Sequence, residues 1–202
     1  LVFRAQDGTE YRYGPAFSTE EGVRHPLVSI RSPTGGEMVL EYGGPALDFE
    51  VTRVWEPGNR RFLQFSYGRP AGAPRLQLSR VDLYENPEAP TRLTPGAQGT
   101  PLGVCIGYRY NELGDLASAS RYDGACPEGA EVPALREERY GYAGGGDEEL
   151  QANLTNWRDA NGHTTRYEYY QRGDTLPGEG DYLRFGDKKE RVRRVIEPLG
   201  VV

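Results

Sequence analysis

The pattern that most constrains this chain is a glycine turn followed by two bulky residues spaced two apart, the second a tyrosine. Gly8 stands ahead of Tyr11 and Tyr13 in "DGTEYRYG", Gly36 ahead of Leu40 and Tyr42, and Gly58 ahead of Phe65 and Tyr67. Gly103 stands ahead of Tyr108 and Tyr110, and Gly162 ahead of Tyr167 and Tyr169; "ERYGYAG" adds Tyr140 and Tyr142. Residues two apart on a strand point to the same face, so each pair lays two side chains on one side of a sheet. A period of two is a strand signal and excludes a helix. Polar turns follow two of the pairs, Asn111 to Gly114 in "NELG" and Gln171 to Asp174 in "QRGD". A glycine with positive φ closes a hairpin of this kind, which makes Gly114, Gly162 and Gly173 the turn positions.

Composition points the same way. The 27 Gly and 15 Pro residues are scattered along 202 residues, and helix interiors do not tolerate them. The 14 Tyr residues supply the contact area that a low aliphatic content withholds. The expected fold is all-β, a run of tandem irregular antiparallel β-hairpins over residues 1–202. The clearest repeats span 103–124 and 150–176, with loop insertions at 86–101 and 122–135.

A net charge of -6 argues against a nucleic-acid partner, which needs concentrated positive potential. No apolar run approaches the roughly 18 to 20 residues that span a bilayer, so no transmembrane segment is expected. Leu1 is not an initiator Met, and the chain reads as an excised or processed segment of a larger protein. Cys105 and Cys126 flank one repeat. A disulfide across that hairpin and two free structural thiols both fit the spacing.

Catalytic chemistry has little to build on. His163 follows Asn161 and Gly162 in a turn near Asp159, which is ordinary turn chemistry, and no Ser or Cys sits in a nucleophile elbow. "DANG" opens like a calcium loop, but Tyr170 stands where the twelfth-position glutamate belongs. Neither a cofactor nor a metal is expected. Trp55 and Trp157, with outward tyrosines, offer a way to stack on a sugar; the competing reading is that the tyrosine pairs pack on neighbouring hairpins.

In these motifs the chain resembles the YD-repeat, or RHS-repeat, family, whose unit reads Y-x-Y-D-x-x-G-R-L. "YRYNELGDL" matches at Tyr108, Tyr110, Gly114 and Leu116, with Asn111 in place of the family Asp and Asp115 in place of Arg. "NLTNWRDANGHTTRYEYYQRGDTL" matches at Leu154, Asp159, Asn161, Gly162, Tyr167, Tyr169 and Gly173, with Tyr170 in place of the Asp. "RVRRVIEPLG" resembles a return strand opening another unit. The resemblance implies that these hairpins form one extended, curved, spiral and shell-like sheet, a non-catalytic stretch of an exported bacterial shell or surface scaffold. Its partners would be neighbouring repeats of the same or another chain, an enclosed toxin domain, or a cell-surface glycan.

Overall fold

The computed structural model describes residues 1–19, 22–44, 50–70, 75–94, 96–127, 133–143, 152–170 and 192–198. Among them there is no helix. The strands are β1 (Val2–Arg4), β2 (Glu10–Tyr13), β3 (Phe17–Thr19), β4 (Gly22–Arg24), β5 (Leu27–Arg31), β6 (Glu37–Tyr42), β7 (Val51–Trp55) and β8 (Arg61–Gly68). They continue as β9 (Gln77–Glu85), β10 (Thr100–Tyr110), β11 (Leu116–Asp123), β12 (Arg136–Tyr142), β13 (Leu154–Arg158), β14 (Thr164–Tyr169) and β15 (Val192–Ile196). Thirteen form one sheet in the order β1-β2-β5-β6-β7-β8-β9-β10-β11-β12-β13-β14-β15, while β3 and β4 form a separate hairpin. The large sheet is antiparallel and is not closed into a barrel.

The described residues fall into two compact units. One lies within Leu1–Arg69, Arg75–Gly107 and Tyr122–Glu131, the other within Pro70–Pro74, Tyr108–Arg121 and Val132–Val202. In the first unit, tight turns join β1 to β2, β5 to β6 and β7 to β8. In the second they join β10 to β11 and β13 to β14. In the second unit their geometry follows from the first residue of the turn. Asn111 Oδ1 accepts the N–H groups of Leu113 and Asp115 at 3.0 and 2.8 Å, and Asp159 Oδ1 accepts those of Asn161 and His163 at 2.9 and 2.8 Å. Gly114 and Gly162 then take φ of 88° and 89°, the left-handed region that a side chain resists. Asn111 therefore performs the turn role that Asp159 performs. Gly173 lies outside the described residues, as does the "QRGD" turn.

The core of the first unit is made by β7 and β8 together with the loop after β9. Trp55, Phe62 and Leu93 are buried, with Val39, Tyr84 and Ala97 packed against them. Trp55 and Phe62 oppose each other across the strands, their ring centroids 4.4 Å apart, and Tyr84 stacks on Phe62 at 5.3 Å. The loop is pinned by Asn86, whose Nδ2 donates to the carbonyls of Asn59 and Thr91 at 2.6 and 2.8 Å. Thus the expected insertion covers the sheet. It is two residues shorter than 86–101, because Thr100 and Pro101 pair with Glu85 and Tyr84. Gly99 passes so close that a Cβ there would stand 2.6 Å from the Glu85 carbonyl oxygen and 2.7 Å from the Phe62 ring. Of the second expected insertion, 122–135, Tyr122 and Asp123 belong to β11 and residues 128–132 lie outside the described set.

Candidate functional site

The tyrosine pairs occupy one recurring structural position. Where Arg12 pairs with Ser29, Tyr13 pairs with Leu27, which leaves Val28 as an extra residue, a β-bulge. Tyr42 pairs with Val51 past an extra Thr52, and Tyr67 pairs with Leu78 past an extra Ser79. In the second unit Tyr142 pairs with Leu154 past Thr155, and Tyr169 with Val192 past Arg193. The same irregularity thus recurs at the second residue of five bulky pairs. Three bulge hydroxyls close it: Thr52, Ser79 and Thr155 donate to the carbonyls of Glu41, Ser66 and Gly141 at 3.3, 3.0 and 3.0 Å.

The tyrosine hydroxyls repeat a second device. Tyr42 donates to the carbonyl of Leu27 at 2.8 Å and Tyr67 to that of Val51 at 2.8 Å. Tyr142 donates to Leu116 at 2.9 Å and Tyr169 to Leu154 at 3.0 Å. Each acceptor is the first residue of the strand that precedes the tyrosine's own strand in the chain and pairs with it. The apolar residue that meets one tyrosine across a bulge accepts the hydroxyl of the next. Leu27 meets Tyr13 and accepts from Tyr42; Val51 meets Tyr42 and accepts from Tyr67; Leu154 meets Tyr142 and accepts from Tyr169. The result is a relay of latches along one end of the strands within each unit.

These environments favour the neutral phenol. Burial raises the pKa of Tyr42, Tyr110, Tyr142 and Tyr169 above the ordinary value. Burial, with the Glu50 carboxylate adding to it, pushes Tyr67 up to about 12. Tyr140 is also pushed up to about 12, by burial and by its hydrogen bond to Glu138. Tyr108 and Tyr167 stand two residues before the second tyrosines on β10 and β14 and are half-buried, as is Tyr11, whose ring lies 6.0 Å from Phe3.

The remaining candidates separate. Cys105 is buried and is joined to Cys126 by a disulfide, with Cα atoms 5.4 Å apart. Trp55 is 0 % exposed and shows no ring face to solvent. Trp157 is half-buried; its Nε1 donates to Glu138 Oε2 at 3.2 Å, and the Tyr140 hydroxyl donates to the same oxygen at 2.9 Å. Asp159 spends its second oxygen on His163 Nδ1 at 3.1 Å, so this carboxylate is occupied in holding its own turn. Burial works to raise the Asp159 pKa, but the bonds from His163 and Asn161 outweigh it and hold the carboxyl below its ordinary value. Among the described residues no group of three or more His, Cys, Asp and Glu side chains is placed to hold a metal ion. With no helix among them, the described residues hold none long and apolar enough to cross a membrane.

Thr52, Ser79, Thr155 and the covering residues Asn86 and Leu93 were not anticipated. For the bulge residues a signal exists: Val-Thr, Leu-Ser and Leu-Thr at 51–52, 78–79 and 154–155 are apolar-hydroxyl pairs opening a strand. No family model matches the chain, and no curated protein matches it.

Proposed function

We propose that the chain is a non-catalytic structural module of an exported bacterial YD-repeat protein, part of a β-sheet shell or scaffold that encloses or presents a toxin or effector. The observation that carries this reading is the recurrence of one construction, bulge plus tyrosine latch, in both units. Hydroxyls that could serve a ligand are instead spent on backbone carbonyls, hairpin after hairpin. Each of the five tyrosines pairs across its bulge with the next strand of the sheet, so the sheet grows by addition and its use is its shape. The Cys105–Cys126 disulfide supports export to an oxidising compartment. The test is the intact mass of the native polypeptide released by the source organism. The expected outcome is a chain several times longer than this one, carrying more tyrosine-latched hairpins; a polypeptide of 202 residues standing alone would overturn it.

A surface that holds glycans is the second reading, and Trp157 carries it. The indole, the Tyr140 ring and the Glu138 carboxylate lie together on adjacent strands, a combination that suits a pyranose. A saturable change in tryptophan fluorescence on glycan titration, lost in Trp157→Phe, would favour it over the scaffold.

A further inference from the structure

Strand β15 and the residues after it repeat β7. Val51-Thr52-Arg53-Val54-Trp55-Glu56-Pro57 aligns with Val192-Arg193-Arg194-Val195-Ile196-Glu197-Pro198, identical at both Val positions, Arg53/Arg194, Glu56/Glu197 and Pro57/Pro198. The fold gives the two strands the same inner neighbour. Val51 meets Tyr42 past the extra residue Thr52, and Val192 meets Tyr169 past the extra residue Arg193.

On its other edge β7 carries β8. Val54 opposes Leu63 and Trp55 opposes Phe62, while the Arg53 guanidinium stands over the Phe62 ring, 5.1 Å from its centroid. Glu56 holds Arg61 at 2.8 Å, and the Tyr67 hydroxyl reaches the Val51 carbonyl. The corresponding edge of β15 ends the sheet, with no further strand beside it among the described residues. Two of its apolar residues are open to solvent, Val192 at 44 % and Val195 at 50 % exposure, and the third, Ile196, is half-buried.

We infer that the outer edge of β15 is a docking edge for an antiparallel strand of β8 chemistry, reading basic, aromatic, apolar, any residue, aromatic, any residue, tyrosine. The aromatic residue would oppose Ile196, the apolar one Val195, and the basic one Glu197, with the tyrosine hydroxyl on the Val192 carbonyl. This is strand addition at a sheet edge, in which main-chain bonds give affinity and alternate side chains give selectivity. Among the described residues a second copy of this chain presents no such strand: both edges of β8 are taken by β7 and β9, and β1 has no tyrosine. The inference rests on the scaffold reading, which is built by adding hairpins, but it has its own readout.

The test adds the peptide RRFLQFSYG, the sequence of residues 60–68, to the intact chain. Binding is followed by fluorescence anisotropy and by amide hydrogen exchange. The expected result is saturable binding that protects the amides of Val192–Ile196, with the Tyr67→Phe peptide about fivefold weaker for want of one hydrogen bond. Ile196→Asp in the chain should abolish capture while the melting curve is retained; should that variant unfold, the comparison of the two peptides on the unaltered chain decides. Equal binding of a scrambled peptide, protection at Val2–Arg4 instead, or no saturation would overturn the inference. So would protection of β15 in the chain alone at high concentration, which makes a second copy the occupant. A negative result here leaves the mass of the native polypeptide, the test of the scaffold reading, untouched.

Discussion

At the scale of single residues, the second tyrosine of each pair is a tether as well as a packing group. Its hydroxyl ends on a backbone carbonyl of the neighbouring strand, and a satisfied bond of this kind contributes about 1 kcal/mol net. Tyr67→Phe keeps the ring and loses only that bond, so denaturant unfolding should show a loss of about 1 kcal/mol with the slope unchanged. Tyr169→Phe should lose a similar amount. The two donate to different carbonyls, those of Val51 and Leu154, and the double variant should therefore be additive. The raised pKa values give a second check. Tyr67 and Tyr140 hold their protons to about 12 in the fold, whereas the unfolded chain releases them near 10. The folded state therefore binds more protons than the unfolded one between these values, and stability must fall with rising pH there. The contribution is complete below pH 10 and is lost as pH rises through about 12; a melting temperature that stays flat across that window would contradict it. The spacing of the tyrosines was legible in the sequence. The acceptors were not, since the carbonyl of Val51 lies 16 residues from Tyr67 and becomes its neighbour only once the hairpin register is set.

Elements obey a local grammar that the sequence shows more fully. An Asp, Asn or Ser opens four of the tight turns or lies within them, and the glycine that follows supplies the positive φ. Gly162→Val places a branched side chain at φ 89°, and its cost is about 1–2 kcal/mol. Thermal melting of that variant should fall by several degrees, and no fall would mean that the turn relaxes to another geometry. The order of parts was harder to read. In β1–β2, β5–β6 and β13–β14 the tight turn precedes the strand that ends in tyrosine, whereas after Tyr110 the tight turn comes next. The loop between β9 and β10 shows where sequence patterning runs out. Its proline-rich stretch marks an insertion, but nothing in the spacing of Leu93 tells which sheet face it will meet. In the fold it closes the core over Trp55 and Phe62. Leu93→Ala should therefore cost about 2–5 kcal/mol, as buried leucines do, and should raise the solvent exposure of Trp55 as seen by acrylamide quenching. A loss under 1 kcal/mol would show that the loop is dispensable cover.

At the scale of the whole molecule, a sheet built by adding hairpins distributes its stability among neighbours, so a local change should stay local. The disulfide tests this because both cysteines belong to one unit. Cys105 and Cys126 are separated by 21 residues, and closing a loop of that length is worth about 3 kcal/mol in the chain-entropy account. Their pairing was one of two readings the sequence allowed; what decides it is that β10 and the segment after β11 bring Gly124 N–H onto the Gly103 carbonyl, which seats the two thiols side by side. In the Cys105→Ser/Cys126→Ser variant, amide exchange should quicken in β9 and in β10 up to Gly107, the strands that pair around Cys105. Amides of β13 and β14, which pair with each other and with β12 and β15, should keep their protection. Should β13 and β14 lose protection together with β9, the two units unfold as one, and stability is not passed from neighbour to neighbour. Should they keep it, each unit holds its stability apart from a change in the other, which is the property a sheet needs if strands are to be added at the edge of β15.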